Sequence, residues 1–241
     1  MSRALSLPHE HGGYLTIAGA ATAGVVIAQA RGPAVAVGAV VAAAFFARAP
    51  VEELVRGRAA RFDRVGLAIL AAIIAAGAAV LAGPWRAVAL IFAAAIVSGS
   101  ALVRRARRQR ATWFETCGMV VLGASAGLVA RAGGAELHAS TAIAIVFATH
   151  CGLAVPLVRS EVRPRERAHA RPTAAVVLVG LSFAAIAIDL VGGSQFLLAL
   201  LPRTLHALVR AALPSARTRP NVVGVRETAM LAVVILLAIV A

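Results

Sequence analysis

The sequence predicts an all-α fold, a polytopic transmembrane helix bundle of about nine helices with a cytoplasmic N-terminus. Hydrophobic residues make up 61% of the 241 positions and charged residues only 14%, and the mean hydropathy is +0.88. A soluble domain of this size is about half apolar and about a quarter charged. Because one small core cannot hide so much apolar surface, we expect residues 1–241 to form a single transmembrane helical domain.

Nine apolar runs define the expected helices, each close to the roughly 20 residues that cross a bilayer. None of them alternates with period two, so helices rather than barrel strands satisfy the backbone in lipid. The eighth run contains Pro202 and Arg203, which predict a short span that breaks into an amphipathic interfacial helix. The runs lie at 13–30, 33–48, 64–82, 85–103, 113–130, 137–158, 173–190, 194–213 and 222–241.

Arginine supplies all 24 basic residues, and its distribution predicts the orientation of the chain. Only Arg31, Arg86 and Arg131 fall at the odd-numbered connections between runs. Because cytoplasmic loops carry the Arg excess, the N-terminus is expected inside and, after nine spans, the C-terminus outside. The net charge of +14 then comes from arginines that set the orientation in the membrane, not from a basic patch on one domain. This favours anionic lipid headgroups as partners and argues against nucleic acid.

The cytoplasmic connections are longer than the outer ones, so any chemistry is expected to face the cytoplasm. A proline at position 50 followed by Glu52 and Glu53 predicts a short cytoplasmic helix that starts at Pro50. The stretch Glu161–Arg167 indicates a topogenic charge cluster, or alternatively an Arg site for phosphate or carboxylate.

Ionisable side chains near membrane depth are costly unless paired, and this marks them as functional candidates. Apart from Glu136, His138 and Asp189 at the outer rim, they fall in the cytoplasmic half of the predicted bundle, which indicates a polar cavity open to the cytoplasm. No catalytic residue is assigned. The candidate ligand-binding residues are His9, Glu10, His11, Arg48, Glu115, His150 and Glu227.

Structural roles also explain several of these candidates. Glu115 is placed to neutralise the Arg cluster at 104–110, Glu227 to pair with Arg226 or Arg219, and His150 to pack beside Thr149.

Other polar and small residues are given structural interpretations too. On a helix His9 and His11 point to nearly opposite sides, so no metal site is predicted. Cys117 and Cys151 are interpreted as buried free thiols. We expect Gly118, Gly123 and Gly127 to mark close helix packing. The sequence assigns no cofactor.

The opening Leu7-Pro8-His9-Glu10-His11-Gly12-Gly13-Tyr14 resembles the N-terminal signature of the YwiC-like bacterial membrane proteins. Weaker similarities are Arg48-Ala49-Pro50, Glu115 ahead of Leu122-Gly123-Ala124, and Val223-Gly224-Val225-Arg226-Glu227. The resemblance implies a multi-pass location in the bacterial cytoplasmic (inner) membrane. It implies no reaction.

The architecture is also similar to the UbiA prenyltransferase superfamily, with about nine helices and working loops after helices 2 and 6. That family uses Asp-rich motifs to hold Mg²⁺ on a diphosphate. This chain has only Asp63 and Asp189, so a Mg²⁺-dependent prenyl transfer is not expected.

The function we expect is that of an accessory protein rather than an enzyme, one that binds a lipid-like or isoprenoid ligand in a cytoplasm-facing cavity. Three alternatives stay open: a UbiA-like membrane transferase, a small-solute transporter, and a haem protein using His11 and His150. No internal inverted repeat supports transport. No GxSxG or Walker-type loop supports a hydrolase or nucleotide-binding protein.

Overall fold

In the computed structural model, the described residues form helices joined by short connections, and they include no strand. This confirms the all-α prediction for them. Those residues are 11–29, 31–57, 61–105, 112–162, 199–212 and 220–240. The helices in them are α1 (His11–Ile27), α2 (Gly32–Val55), α3 (Arg61–Val80), α4 (Pro84–Arg105), α5 (Thr112–Ala132), α6 (Leu137–Val162), α7 (Leu201–Ala212) and α8 (Pro220–Val240).

The first six apolar runs and the ninth each correspond to one of these helices. The seventh run, 173–190, lies outside the described residues. Helix α7 begins at Leu201, so the helix in the eighth run starts beside Pro202 instead of continuing through it. A proline is tolerated in the first turn because the amide nitrogens there have no intrahelical partner.

Three described helices are long and apolar enough to cross a membrane: Gly32–Val55, Leu137–Arg159 and Val222–Ile239. Shorter apolar stretches lie in α1, α3 and α4. The outward-facing surface of α3, α4 and α8 carries large apolar side chains, among them Ile69, Ile91 and Leu236. Water would oppose that exposure, whereas lipid tails accept it.

Helix α2 holds the centre of one core cluster, where it packs against α1, α3, α4 and α5. Its residues Val37, Val40, Val41 and Phe45 are fully buried. A second cluster joins α1, α5, α6 and α8. Helix α5 thus lies beside α1, α2 and α6, while α6 lies between α5 and the C-terminal helices.

Helices α5 and α6 form the most extensive helix pair, and two glycines of α5 allow it. A Cβ at Gly123 would collide with the backbone of Phe147, and a Cβ at Gly127 would collide with Ser140 and Ala144. Close packing at Gly123 and Gly127 is therefore confirmed. It is wrong for Gly118, which is exposed and has no described atom within 4 Å of a Cβ position.

Helix α2 corrects the prediction for the second connection. The chain does not begin a new helix at Pro50, because α2 continues through it to Val55. Ala49 and Pro50 are buried there, and Glu52 is only 3% exposed, so packing against neighbouring helices outweighs the lost hydrogen bond. The helix ends before Gly57, whose φ of 65° supplies the left-handed residue that terminates many helices.

The three arginines at the odd-numbered connections bind backbone carbonyl groups at one end of the bundle, which we call the hairpin end. Arg31 Nη1 donates to the Gly133 oxygen at 3.1 Å, which joins the α1–α2 and α5–α6 connections. Arg86 Nε donates to Ala78 oxygen at 2.9 Å at the end of α3. Arg131 Nη1 likewise donates to Ala135 oxygen at 2.7 Å. The Ala78 carbonyl lies in the last turn of α3, where a helix leaves carbonyl groups without partners, whereas Gly133 and Ala135 lie in the connection between α5 and α6.

Candidate functional site

The opposite end of the bundle, where α5 and α8 begin and α6 ends, carries interhelical ion pairs, and we call it the ion-pair end. Glu115 in the first turn of α5 pairs with Arg159 in the last turns of α6, with 3.0 Å between Arg159 Nε and Glu115 Oε2. Arg159 Nη2 contacts the other carboxylate oxygen. This two-point contact connects α5 to α6 at their polar ends.

A second set of charges joins α6, α7 and α8. Arg226 Nη2 lies 2.8 Å from Glu161 Oε1 and 3.5 Å from Glu227 Oε1. Glu227 in turn forms an ion pair with Arg203, with 2.7 Å between Arg203 Nη1 and Glu227 Oε2. The four side chains form a chain of alternating charge across three helices. Because the two positive charges balance the two negative ones, the cluster is neutral apart from its histidines.

Arg203 is the residue on which this arrangement centres, since its side chain is 0% exposed. Helix α7 presents Arg203 and Ala207 to the protein, while Leu201, Leu205 and Leu208 are exposed. A helix on a water-soluble protein has the opposite polarity, with its apolar stripe inside. The reversed polarity of α7 is what a helix at membrane depth requires when its polar face has partners within the bundle.

His150 faces the same helix. It shares one side of α6 with Leu153 and Leu157, which pack against Ala207 of α7. His150 is 3% exposed, and Arg203 and His206 lie close enough to act on it electrostatically.

His206 extends the polar side of α7 towards Arg203. Its Nδ1 lies 3.4 Å from Arg203 Nη1. The histidines of α6 and α7 thus lie around one guanidinium group, and imidazole nitrogens there can donate or accept a hydrogen bond according to tautomer.

The structure brings some predicted site residues together and separates others. Glu227 and His150 both lie around Arg203, and Glu115 belongs to the neighbouring pair with Arg159. Arg48 is half-buried on α2, where its guanidinium carbon lies 4.9 Å from the centre of the Phe45 ring.

The N-terminal candidates are described least. His9 and Glu10 lie outside the described residues, and of His11 only the backbone, which begins α1, lies within them.

The contacts confirm some of the structural roles predicted for these residues and contradict others. The expected pairing of Glu227 with Arg226 is confirmed, although Arg203 lies closer; Arg219 lies outside the described residues. The described partner of Glu115 is Arg159. Cys151 is buried as expected, but the same expectation for Cys117 is wrong, because Cys117 lies on an exposed side of α5.

Sequence reasoning missed Arg203, Arg159, Glu161 and His206. The predicted loop charges Arg159 and Glu161 instead belong to α6, and Glu161 is 1% exposed. An arginine inside an apolar run, directly after a proline, was the available signal for Arg203. Among the described residues, no group of three or more His, Cys, Asp or Glu side chains is arranged to hold a metal ion.

Comparison with known proteins identifies a family for the N-terminal half. The family model described as YwiC-like protein matches residues 7–131, just over half of the chain. No curated protein matches, and no solved structure matches. The matched segment covers α1 to α4 and nearly all of α5, including Glu115, whereas Arg203 and Glu227 lie beyond it. With its long apolar helices this is a membrane protein, and the chain belongs to the YwiC-like family.

Proposed function

We propose that this protein crosses the bacterial cytoplasmic membrane nine times, with its N-terminus inside, and binds a lipid-like or isoprenoid ligand near the ion-pair end. The ion-pair end faces the cytoplasm in this proposal. The protein acts as a ligand-binding or accessory component rather than as an enzyme. Anionic lipid headgroups surround its basic loops, and nucleic acid is not a partner.

The observation that carries the proposal is the complete burial of Arg203 among polar groups of α6, α7 and α8. Replacing a buried ion pair by apolar residues is often neutral or stabilising, so such a pair contributes little to stability. Ionisable groups at membrane depth mark a ligand or ion site more often than they stabilise the fold. The exposed leucines of α7 surround this polar centre with apolar surface, which suits a ligand that has a polar head and an apolar body.

The different use of arginine at the two ends supports the orientation. At the hairpin end Arg31, Arg86 and Arg131 are engaged with backbone carbonyl groups, and few other charges are present in the sequence there. The remaining arginines lie in the other connections or in the helices that flank them. This asymmetry follows the rule that positive residues stay in the cytoplasm.

Mass spectrometry of the protein purified in mild detergent tests the ligand proposal. The matched variants are Arg203→Met combined with Glu227→Met, which removes one ion pair from the site, and Arg86→Met at the hairpin end as control. We expect a stoichiometric lipid-like molecule with the unmodified protein and the control, and its loss from the double variant. Equal amounts of ordinary phospholipid in all three samples would contradict ligand binding and favour the transporter alternative.

Cysteine labelling in intact cells tests the orientation separately. In a background with Cys117→Ser and Cys151→Ser, the variants Arg56→Cys and Ala82→Cys place single thiols at exposed positions at opposite ends of the bundle. A membrane-impermeant maleimide should label the thiol at position 82 in intact cells and the thiol at position 56 only after permeabilisation. The reverse pattern would overturn the inside position of the N-terminus.

A further inference from the structure

We infer that Arg203 binds an oxyanion, a phosphate or carboxylate group, along the Nε–Nη2 edge of its guanidinium. This inference rests on the proposed function, because it assigns the polar head of the bound ligand to a particular side chain. The same chemistry would be supplied by the headgroup of an anionic lipid or by a free anion such as phosphate.

The guanidinium group of Arg203 uses only one of its three nitrogen atoms in contacts with the described residues. Arg203 Nη1 contacts Glu227 and His206. Its Nε and Nη2 atoms are buried and have no hydrogen-bond partner among the described residues. These two nitrogens lie on one side of the planar group, where their N–H bonds run parallel and match the two oxygens of a carboxylate or phosphate.

A fully buried guanidinium with two idle donors is costly in a low-dielectric environment, because the charged group loses water without a replacement. Surface arginines avoid this cost by hydration, but Arg203 is 0% exposed. An oxyanion would satisfy both donors at once. His150 has a further buried ring nitrogen, Nδ1, without a hydrogen-bond partner, and it lies on the side of α6 that faces α7.

Arg203 does not have the negative charge of Glu227 to itself. Glu227, the carboxylate that pairs with it, also lies 3.5 Å from Arg226, so two guanidinium groups share its negative charge. Glu161 engages Arg226 from α6. An anion on the free edge would therefore contact Arg203 directly. The negative charge that repels it would be Glu227, which contacts Nη1 of the same guanidinium group.

Ligand-induced thermal stabilisation of the detergent-purified full chain tests this inference, since binding to the folded state raises the unfolding temperature. The probes are inorganic phosphate, a short-chain phosphatidic acid and the matching neutral diacylglycerol, with potassium chloride equalising ionic strength. Arg203→Lys keeps the charge but removes the parallel donor pair. Arg131→Lys, at the hairpin end, is the matched control.

We expect a phosphate-bearing probe to stabilise the unmodified protein and the control, and to bind Arg203→Lys roughly 10-fold to 100-fold more weakly. Stabilisation by inorganic phosphate would identify a free anion as sufficient. Stabilisation by phosphatidic acid alone would identify a lipid headgroup. Equal stabilisation by phosphatidic acid and diacylglycerol would overturn the oxyanion site while leaving lipid binding intact. No stabilisation by any probe would overturn both.

Glu227→Gln provides a second test that does not depend on the folding of Arg203→Lys. The substitution keeps the shape of the side chain and removes the negative charge nearest to Arg203. If an oxyanion occupies the free edge, its affinity should rise, because one repulsive charge has gone. Unchanged or weaker binding of the phosphate-bearing probe would show that Arg203 serves only to pair with Glu227.

Discussion

Substituting alanine for Gly123 should push α5 and α6 apart. A Cβ at this position would lie 2.6 Å from the carbonyl carbon of Phe147 and 2.8 Å from the backbone nitrogen of Ala148. Real Cβ atoms essentially never approach other atoms within 3.0 Å, and a backbone cannot turn aside as a side chain can. The two helices would therefore have to separate along the most extensive contact in the bundle.

The size of the effect follows from a comparison with Gly118→Ala on the same helix, where the added methyl group meets nothing within 4 Å. Both substitutions gain about 0.5 to 1 kcal/mol from the lower conformational freedom of alanine in a helix. That gain cancels in the difference between them. What remains is the cost of overpacking, about 1 to 3 kcal/mol. Gly118→Ala should raise the stability, and Gly123→Ala should lower it relative to that variant.

Thermal unfolding in detergent measures the difference in stability between Gly118→Ala and Gly123→Ala. Circular dichroism and the reactivity of Cys151 monitor the unfolding. This thiol is 0% exposed on α6, one turn beyond Phe147, so its reactivity reports opening of the structure around this part of α6. Cys117 is exposed and is replaced by serine in all variants. Equal unfolding temperatures and equal Cys151 reactivity in the two glycine variants would refute the close approach of α5 and α6.

Two further predictions concern side chains that bind across helix ends. Arg86→Met removes the part-buried hydrogen bonds to Ala78 and Leu81 and should lower the free energy of unfolding by about 1 kcal/mol; no change in denaturant or thermal unfolding would show that these bonds do not contribute. Glu161→Met should cost about 3 kcal/mol, because it leaves Arg226 with only the longer contact to Glu227. Replacing both Glu161 and Arg226 by methionine should recover most of that loss, and a double variant as unstable as the single one would contradict this account of the pair.

Much of the helical structure was predictable because length and hydropathy are local properties. A run such as 137–158 is too long and too apolar for anything but a helix in lipid, and α6 begins at the predicted residue, Leu137. Pro50 shows where local rules fail. A proline ordinarily starts or interrupts a helix, but here buried neighbours hold α2 together through it.

The candidate site was predictable only in part. Glu115, His150 and Glu227 could be selected because each is an ionisable residue in or beside an apolar run. The charges around them could not be selected, because Arg159 is 44 positions from Glu115 and the Arg226–Glu161 pair beside Glu227 joins residues 65 positions apart. Charges that the topology rule explained as loop markers were in fact side chains within helices.

By itself, then, the sequence determined that this is a helical membrane protein with polar residues biased to one end, because composition, run length and Arg distribution need no knowledge of neighbours. Only the tertiary structure decided that Arg203 is buried, that α7 turns its leucines outward, and that Gly123 but not Gly118 allows close packing. These features depend on the rotation of each helix about its own axis and on which helix lies beside it. Both are set by packing between residues far apart in the chain.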